Sequence, residues 1–284
     1  MKKLLLQLDS DKHPSSFDRV VAYDAGVDEV MSYGAVRPED VTPLVHGCLF
    51  TRGIPDLKST AIWIGGSAVE AGEALTTAVT SAFFGPFKVS VMMDSNGCNT
   101  TAAAAVARIA SAIPLSGARA VVLGGTGPVG LRAAVLLARE GASVVLTSRS
   151  RARAEEACAQ VKTRFGVSTE PAEARDAAAV ARALQGARVC LSAGAAGVTL
   201  LPRTIWATHP TLAMLADVNA VPPLGIEGIE AGDKGNERNG KRVFGALGIG
   251  SLKMKGHKAC MARLFEQNDA VLDLEAIWAI TRTL

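Results

Sequence analysis

The chain has 284 residues, enough for two domains at roughly 150 residues each. With 49% hydrophobic, 20% charged and 5% aromatic residues, the composition excludes a disordered, collagen-like or coiled-coil chain. The net charge of +3, from 30 basic and 27 acidic residues, is too small to point to nucleic acid. No run of 18 apolar residues predicts a transmembrane helix, so no membrane is expected as a partner.

Met1-Lys2-Lys3-Leu4-Leu5-Leu6 starts like a signal peptide, but Gln7 and Asp9 break the apolar run and no small-residue cleavage site follows. The five cysteines, at 48, 98, 158, 190 and 260, form no CxxC pair and are odd in number. Both features predict a reducing, cytoplasmic setting. The four histidines, at 13, 46, 209 and 257, lack metal-ligand spacing, so no metal is expected.

In chain order, Lys3–Leu8 reads as a strand and Phe17–Tyr33 carries helix-like spacing. His46–Thr51 and Thr60–Ile64 read as strands, Val69–Phe83 as a helix, Lys88–Met93 as a buried strand and Thr100–Ile113 as an Ala-rich helix. After the break at Pro114–Gly117 come strand Arg119–Leu123, helix Val129–Glu140, strand Val144–Thr147 and helix Arg151–Phe165. Helix Ala177–Leu184 and strands Val189–Ser192 and Leu212–Val218 follow. Gly245–Gly250 reads as a glycine-rich loop, before helices near Leu252–Phe265 and Leu274–Arg282. Strands separated by helices predict an α/β fold with a parallel sheet.

Gly125-Thr126-Gly127-Pro128-Val129-Gly130 fits G-x-G-x-x-G, after a strand and at the start of a helix. In that context the glycines permit a tight turn, close approach of a pyrophosphate and close helix–strand packing. The phosphates then meet free N–H groups at the positive end of the helix dipole. The next strand ends in Ser148-Arg149-Ser150-Arg151, without the carboxylate that binds the ribose of NAD. Ser148 and Arg149 suit a 2′-phosphate, which predicts NADP with NAD as the weaker alternative.

Ligands of open parallel sheets bind at the carboxyl ends of the strands. Ala193-Gly194, Asn219 in Asp217-Val218-Asn219-Ala220, and Gly248 in the last glycine loop are therefore further candidates for the dinucleotide. In the first half, Asp94, Asn96 and Asn99 occupy a polar loop that either reads a planar heterocycle or caps a helix. Lys253 and His257 stand four apart and share a helix face.

Phe17-Asp18 with Tyr23-Asp24, Phe83-Phe84-Gly85-Pro86-Phe87, Asp94-Ser95-Asn96-Gly97 with Asn99-Thr100-Thr101, and Gly125–Gly130 together resemble one family. The resemblance continues in Asp217–Ala220 with Pro222-Pro223-Leu224-Gly225-Ile226, in Asp233-Lys234-Gly235 and in Phe244–Gly250. The chain is similar to bacterial NADP-dependent methylene-tetrahydromethanopterin dehydrogenases, and more distantly to methylene-tetrahydrofolate dehydrogenase/cyclohydrolases. The Tyr-x-x-x-Lys pair of those bifunctional relatives is absent here: Val27 follows Tyr23 by four and Arg37 follows Tyr33 by four.

The resemblance implies a pterin domain over residues 1–103, joined by 251–284, and a Rossmann-type NADP domain over 104–250, with the last helices returning to the first domain. It implies homo-oligomers, trimers among them. The implied reaction is reversible hydride transfer from methylene-tetrahydromethanopterin to NADP. No proton moves at the reacting carbon, so positioning should dominate over acid–base chemistry. Lys253 is the expected catalytic residue. Asp94, Asn96, Asn99 and His257 are the expected pterin contacts. Methylene-tetrahydrofolate as carrier, a shikimate-type dehydrogenase and a non-catalytic NADP sensor are the alternatives to be distinguished.

Overall fold

The computed structural model describes every residue from Met1 to Leu284. The chain divides into two compact units, Met1–Thr100 with Met254–Leu284, and Thr101–Lys253.

The first unit opens with β1 (Leu4–Asp9) and α1 (Ser16–Asp24). Ser15 caps α1 through its hydroxyl, which accepts a hydrogen bond from the Asp18 amide. The helical spacing of Phe17–Tyr33 stops early: Gly26 takes φ +86°, and Glu29–Tyr33 forms strand β2. His46–Thr51 is likewise not a strand. It lies mostly in helix α2 (Val41–Leu49), whose Val41, Val45, Cys48 and Leu49 are buried at helical spacing. Pro43 sits in the first turn, where a missing N–H leaves no bond unmade.

The strand β3 (Thr60–Gly65), helix α3 (Val69–Ser81), strand β4 (Ser90–Met93) and helix α4 (Cys98–Ala112) follow.

In the second unit, β5 (Arg119–Leu123), α5 (Pro128–Arg139), β6 (Ser143–Ser148) and α6 (Arg151–Phe165) lie close to their sequence-predicted bounds. The strand β7 (Glu170–Glu173), Glu-Pro-Ala-Glu, has no apolar run to announce it. Helix α7 (Ala177–Ala183), β8 (Val189–Ser192), the short α8 (Arg203–Trp206) and β9 (Met214–Asp217) come next. A hairpin of β10 (Lys234–Arg238) and β11 (Lys241–Phe244), also unforeseen, turns at Asn239-Gly240, both with positive φ.

The glycine-rich stretch 245–250 is not a flexible loop. Ala246 already begins helix α9 (Ala246–Arg263). The short β12 (Val271–Leu272) and α10 (Leu274–Thr281) complete the chain.

The first sheet has the order β12-β4-β3-β1-β2, parallel throughout. The second has the order β10-β11-β9-β8-β5-β6-β7, parallel except at β10–β11. Without β10, the second reads as the doubly wound order of dinucleotide-binding sheets. Both sheets are covered by helices, so their central strands are apolar runs rather than alternating patterns. Val121, Leu123, Cys190 and Leu215 from three such strands join Trp206 and Ile226 in one buried cluster of the second unit.

Candidate functional site

A doubly wound sheet opens a crevice where its strand order reverses. In the second unit the reversal lies between β5 and β8. There, Gly124 (φ +63°) and Gly194 approach so closely that a β-carbon on Gly124 would stand 2.6 Å from the Gly194 Cα. The Gly124 amide donates to the Thr147 hydroxyl, and the Gly125 amide to the Thr147 carbonyl.

The three motif glycines differ physically. A β-carbon on Gly125 would meet Leu146, and one on Gly130 would lie 2.7 Å from the Gly125 Cα; both positions are filled by the protein itself. At Gly127 nothing lies within 4 Å. Gly127 is the N-cap of α5, and no side chain caps that helix. Thr126, Pro128 and Val129 are half-buried beside it. The loop therefore offers an open approach to uncapped amides, which is the requirement of a pyrophosphate.

Neighbouring strands bring other expected residues to the same end of this sheet. Ser148 closes β6 and is buried; its hydroxyl accepts a long bond from the Ser150 amide. Arg149 is exposed beside it. The helix α6 that follows is also without a capping side chain. Arg151 is engaged elsewhere, pairing with Glu155 and donating to the Pro171 carbonyl. Ala193-Gly194 follows β8, with the Ala193 amide bonded to Leu123.

Asn219, after β9, uses its side chain inside its own loop: Oδ1 accepts from the Val221 amide and Nδ2 donates to the Pro223 carbonyl. Asp217 is fully buried and takes the turn-stabilising role that its position before Val218-Asn219 allows. Its carboxylate accepts from the amides of Asn219 (3.0 Å) and Ile226 (2.9 Å). Burial raises its pKa, against the lowering effect of those bonds.

Gly248 lies in the first turn of α9, where a β-carbon would overlap the Asp233 carbonyl. Asp233 is itself clamped by the Arg238 guanidinium through bonds of 2.8 and 2.9 Å. Lys253 is half-buried further along α9.

In the first unit the strand order reverses between β1 and β3, at the Asp9–Gly65 pair. Asp9 is buried, and its oxygens accept from the Asp11 and Ser15 amides. A β-carbon on Gly65 would lie 3.0 Å from Asp9 Oδ2 and 3.2 Å from Trp63 Nε1. The buried indole N–H of Trp63 has no acceptor in the protein. The His257 ring, also buried, stacks on Trp63 at 4.8 Å and 20°, with Phe17 at 6.2 Å.

The loop after β4 is tied to the loop after β3. Ser95 Oγ donates to the Gly65 carbonyl and the Asn96 amide to the Gly66 carbonyl. The Asp94 carboxylate accepts from the amides of Asn99 (2.7 Å) and Thr100 (3.0 Å) and from the Thr100 hydroxyl, at the start of α4. Asn99 Nδ2 donates to the Met93 carbonyl. Asn96 differs from both: it is exposed and left-handed (φ +54°). The Cys260 thiol of α9 is pushed up to about 12, first by burial and then by the charge of Asp94.

Asp94 and Asn96 thus share the turn after β4, Asn99 stands in the first turn of α4, and His257 packs on Trp63. The motif glycines, Ser148-Arg149, Ala193-Gly194 and Asn219 share one end of the second sheet. Trp63 was not singled out from sequence, and Asp9 and Gly65 were noted only at the ends of predicted strands. The signal for them is topological, because only strand order reveals a reversal. All five cysteines are free thiols, and no helix is long and apolar enough to cross a membrane.

Comparison with known proteins gives this geometry its setting. Residues 16–96 match a family model described as methylene-tetrahydromethanopterin dehydrogenase, N-terminal. The chain is 50% identical over 285 residues to the bifunctional protein MdtA of Methylorubrum extorquens, covering 100% of this chain and 99% of that one. It is 34% identical to an NAD(P)-dependent methylenetetrahydromethanopterin dehydrogenase of the same organism, covering 94% and 93% of the two chains. Among solved structures, a ligand-free 5-ketofructose reductase of Gluconobacter shares the fold at 14% identity and a TM-score of 0.55, covering 100% of this chain and 99% of that one. Quinate dehydrogenase from Corynebacterium glutamicum, in complex with NAD, does so at 13% and 0.53 over the same shares. With two relatives similar along nearly their whole length, the chain belongs to the methylene-tetrahydromethanopterin dehydrogenase family.

Proposed function

We propose that this protein catalyses reversible hydride transfer from methylene-tetrahydromethanopterin to NADP, giving the methenyl compound, in one-carbon metabolism. The observation that carries the reading is the uncapped glycine turn at Gly127, in a chain similar end to end to a dehydrogenase named for this substrate. NADP, when bound, supplies the hydride acceptor.

The chain's own residues do the rest. Gly125, Thr126, Gly127, Pro128, Val129 and Gly130 hold the pyrophosphate on the α5 amides. Ser148 and Arg149 hold the 2′-phosphate, with the uncapped start of α6 behind them. Ala193-Gly194 and Asn219 line the ribose side, and Gly248 keeps the first turn of α9 tight against Asp233. Asn96 and His257 contact the pterin, while Asp94 and Asn99 hold the Asn96 loop in shape. Lys253 is the catalytic residue, positioning the pterin rather than moving a proton. Residues 1–103 with 251–284 form the pterin domain and 104–250 the NADP domain. The enzyme works as a cytoplasmic homo-oligomer, with trimers among the forms the family resemblance implies.

Absorbance at 340 nm with methylene-tetrahydromethanopterin tests this directly. Rapid reduction of NADP and slower reduction of NAD are expected, and methylene-tetrahydrofolate run in parallel distinguishes the alternative carrier. Arg149→Gln should lower kcat/KM for NADP roughly tenfold or more, as expected for one lost charge-assisted bond, and leave NAD nearly unchanged. An unchanged NADP/NAD ratio would remove Arg149 from the phosphate site. Lys253→Ala should lower turnover; unchanged turnover and substrate affinity would remove Lys253 from its role.

A further inference from the structure

The first unit holds a cavity of about 460 Å³ that the proposed reaction does not use. Its walls are the sheet face carrying Leu4, Leu6 and Met31 and the partly exposed side of helix α2, where Pro43 and Gly47 are exposed and Cys48 is buried. Leu4 and Thr60, which also line it, are the first residues of β1 and β3. The cavity therefore sits toward the amino ends of strands whose carboxyl ends carry Asp9 and Gly65. Its volume falls in the range of small-molecule sites.

Two independent features bear on its occupant. Gly47 stands inside α2, where glycine costs about 1 kcal/mol of helix stability relative to alanine. A β-carbon there would meet nothing within 4 Å, so packing does not require the glycine, and any side chain would shrink the cavity. Arg52 supplies the charge. Its guanidinium donates to the Ser59 carbonyl (2.6 Å), the Thr60 hydroxyl (3.0 Å) and the Lys2 carbonyl (3.0 Å). Those three bonds fix the group in place and leave two of its five N–H donors unused. No carboxylate pairs with it. Arg52 also lowers the pKa of the Cys48 thiol in the cavity wall, against the larger raising effect of burial.

We propose that this cavity binds a small amphipathic organic anion, with an apolar body between β1 and α2 and a single carboxylate or sulfonate on the free donors of Arg52. A half-open apolar groove bearing one fixed, incompletely bonded guanidinium matches that chemistry.

The test uses the full-length protein and 8-anilinonaphthalene-1-sulfonate, an apolar body with one sulfonate. Saturating NADP is present throughout, to occupy the dinucleotide site. The probe should bind saturably with a rise in emission. Gly47→Leu, which fills the space and improves helix propensity, should weaken binding at least about tenfold and leave dehydrogenase activity and the melting temperature intact. Arg52→Gln should weaken it about tenfold. The uncharged analogue N-phenyl-1-naphthylamine should bind about tenfold more weakly than the sulfonate.

In wild-type protein labelled at the methionine methyls, the Met31 resonance should move with the titration; this readout needs no variant. Equal binding of charged and uncharged probes would overturn the anion. Binding that survives Gly47→Leu, a Met31 signal that stays still, or no binding at all would overturn the site.

Discussion

Gly127 and Gly130 share a motif and not a function. At Gly130 the missing side chain is a packing requirement, since the Gly125 Cα lies 2.7 Å from where a β-carbon would be. At Gly127 the same absence leaves open space. Gly130→Ala is expected to lower the melting temperature even without cofactor, by a shift equivalent to about 1–3 kcal/mol of overpacking. Gly127→Ala should leave the unliganded melting temperature within about a degree and weaken NADP binding by tenfold or more. Thermal melts and a fluorescence titration of NADPH read the two effects separately. Equal destabilisation by both would contradict the distinction. The sequence announces these glycines through spacing alone, but it does not tell which one faces ligand, because that depends on Leu146, Thr147 and Gly194 converging from other strands. Asp9 and Trp63 illustrate the opposite limit. Nothing local marks them, and their importance comes from the strand order around them.

At the scale of elements, the segment Asp94–Thr101 divides between a helix cap at Asp94 and an exposed turn at Asn96. Asp94 serves the start of α4 with both oxygens, while Asn96 projects from the turn between. Asp94→Ala should therefore cost about 1–2 kcal/mol of stability, typical of a strong N-terminal cap. Asn96→Ala should leave stability nearly unchanged and raise KM for the pterin. Denaturant unfolding together with steady-state kinetics distinguishes them, and a stability loss confined to Asn96→Ala would reverse the assignment.

The elements read correctly from sequence were those with long apolar runs or clear helical periodicity, such as β5, α6 and β8. Those missed were short or polar. Strand β7 exists because β6 offers it an edge, and β12 because β4 does. α2 was misread because the stretch taken as a strand, His46–Thr51, holds only the last two of its buried residues, Cys48 and Leu49, and the helical spacing shows only when Val41 and Val45 are included. α9 was shortened because its glycine-rich start looks like a loop, although Gly245 and Gly248 are there for close packing on the Glu230–Asp233 backbone.

At the scale of the molecule, two α/β domains with the last helices returning to the first were anticipated, but the strand order within each sheet was not legible. The first sheet is completed by β12, which pairs with β4, and α10 then buries Leu274, Ile277 and Trp278. Ser90 binds this returning segment on both sides: its hydroxyl donates to the Gln267 carbonyl and accepts from the Ala270 amide. Ending the chain after Asp269 should expose the wholly buried strand β4 as a sheet edge and remove several kcal/mol of apolar burial. Such a protein should scatter light at concentrations where the intact chain stays clear; a clear, dehydrogenase-active truncation would contradict this role.

The same connectivity sets a timetable during translation. The second unit, Thr101–Lys253, is contiguous and is synthesised in full before Met254–Leu284, the segment that completes the first unit. The first unit begins synthesis earlier and finishes later. For the whole interval in which 153 residues of its neighbour are added, its β4 edge waits for a strand not yet made. The nascent chain therefore needs shelter from chaperones on behalf of its oldest part, while the part made in the middle is the first able to finish folding.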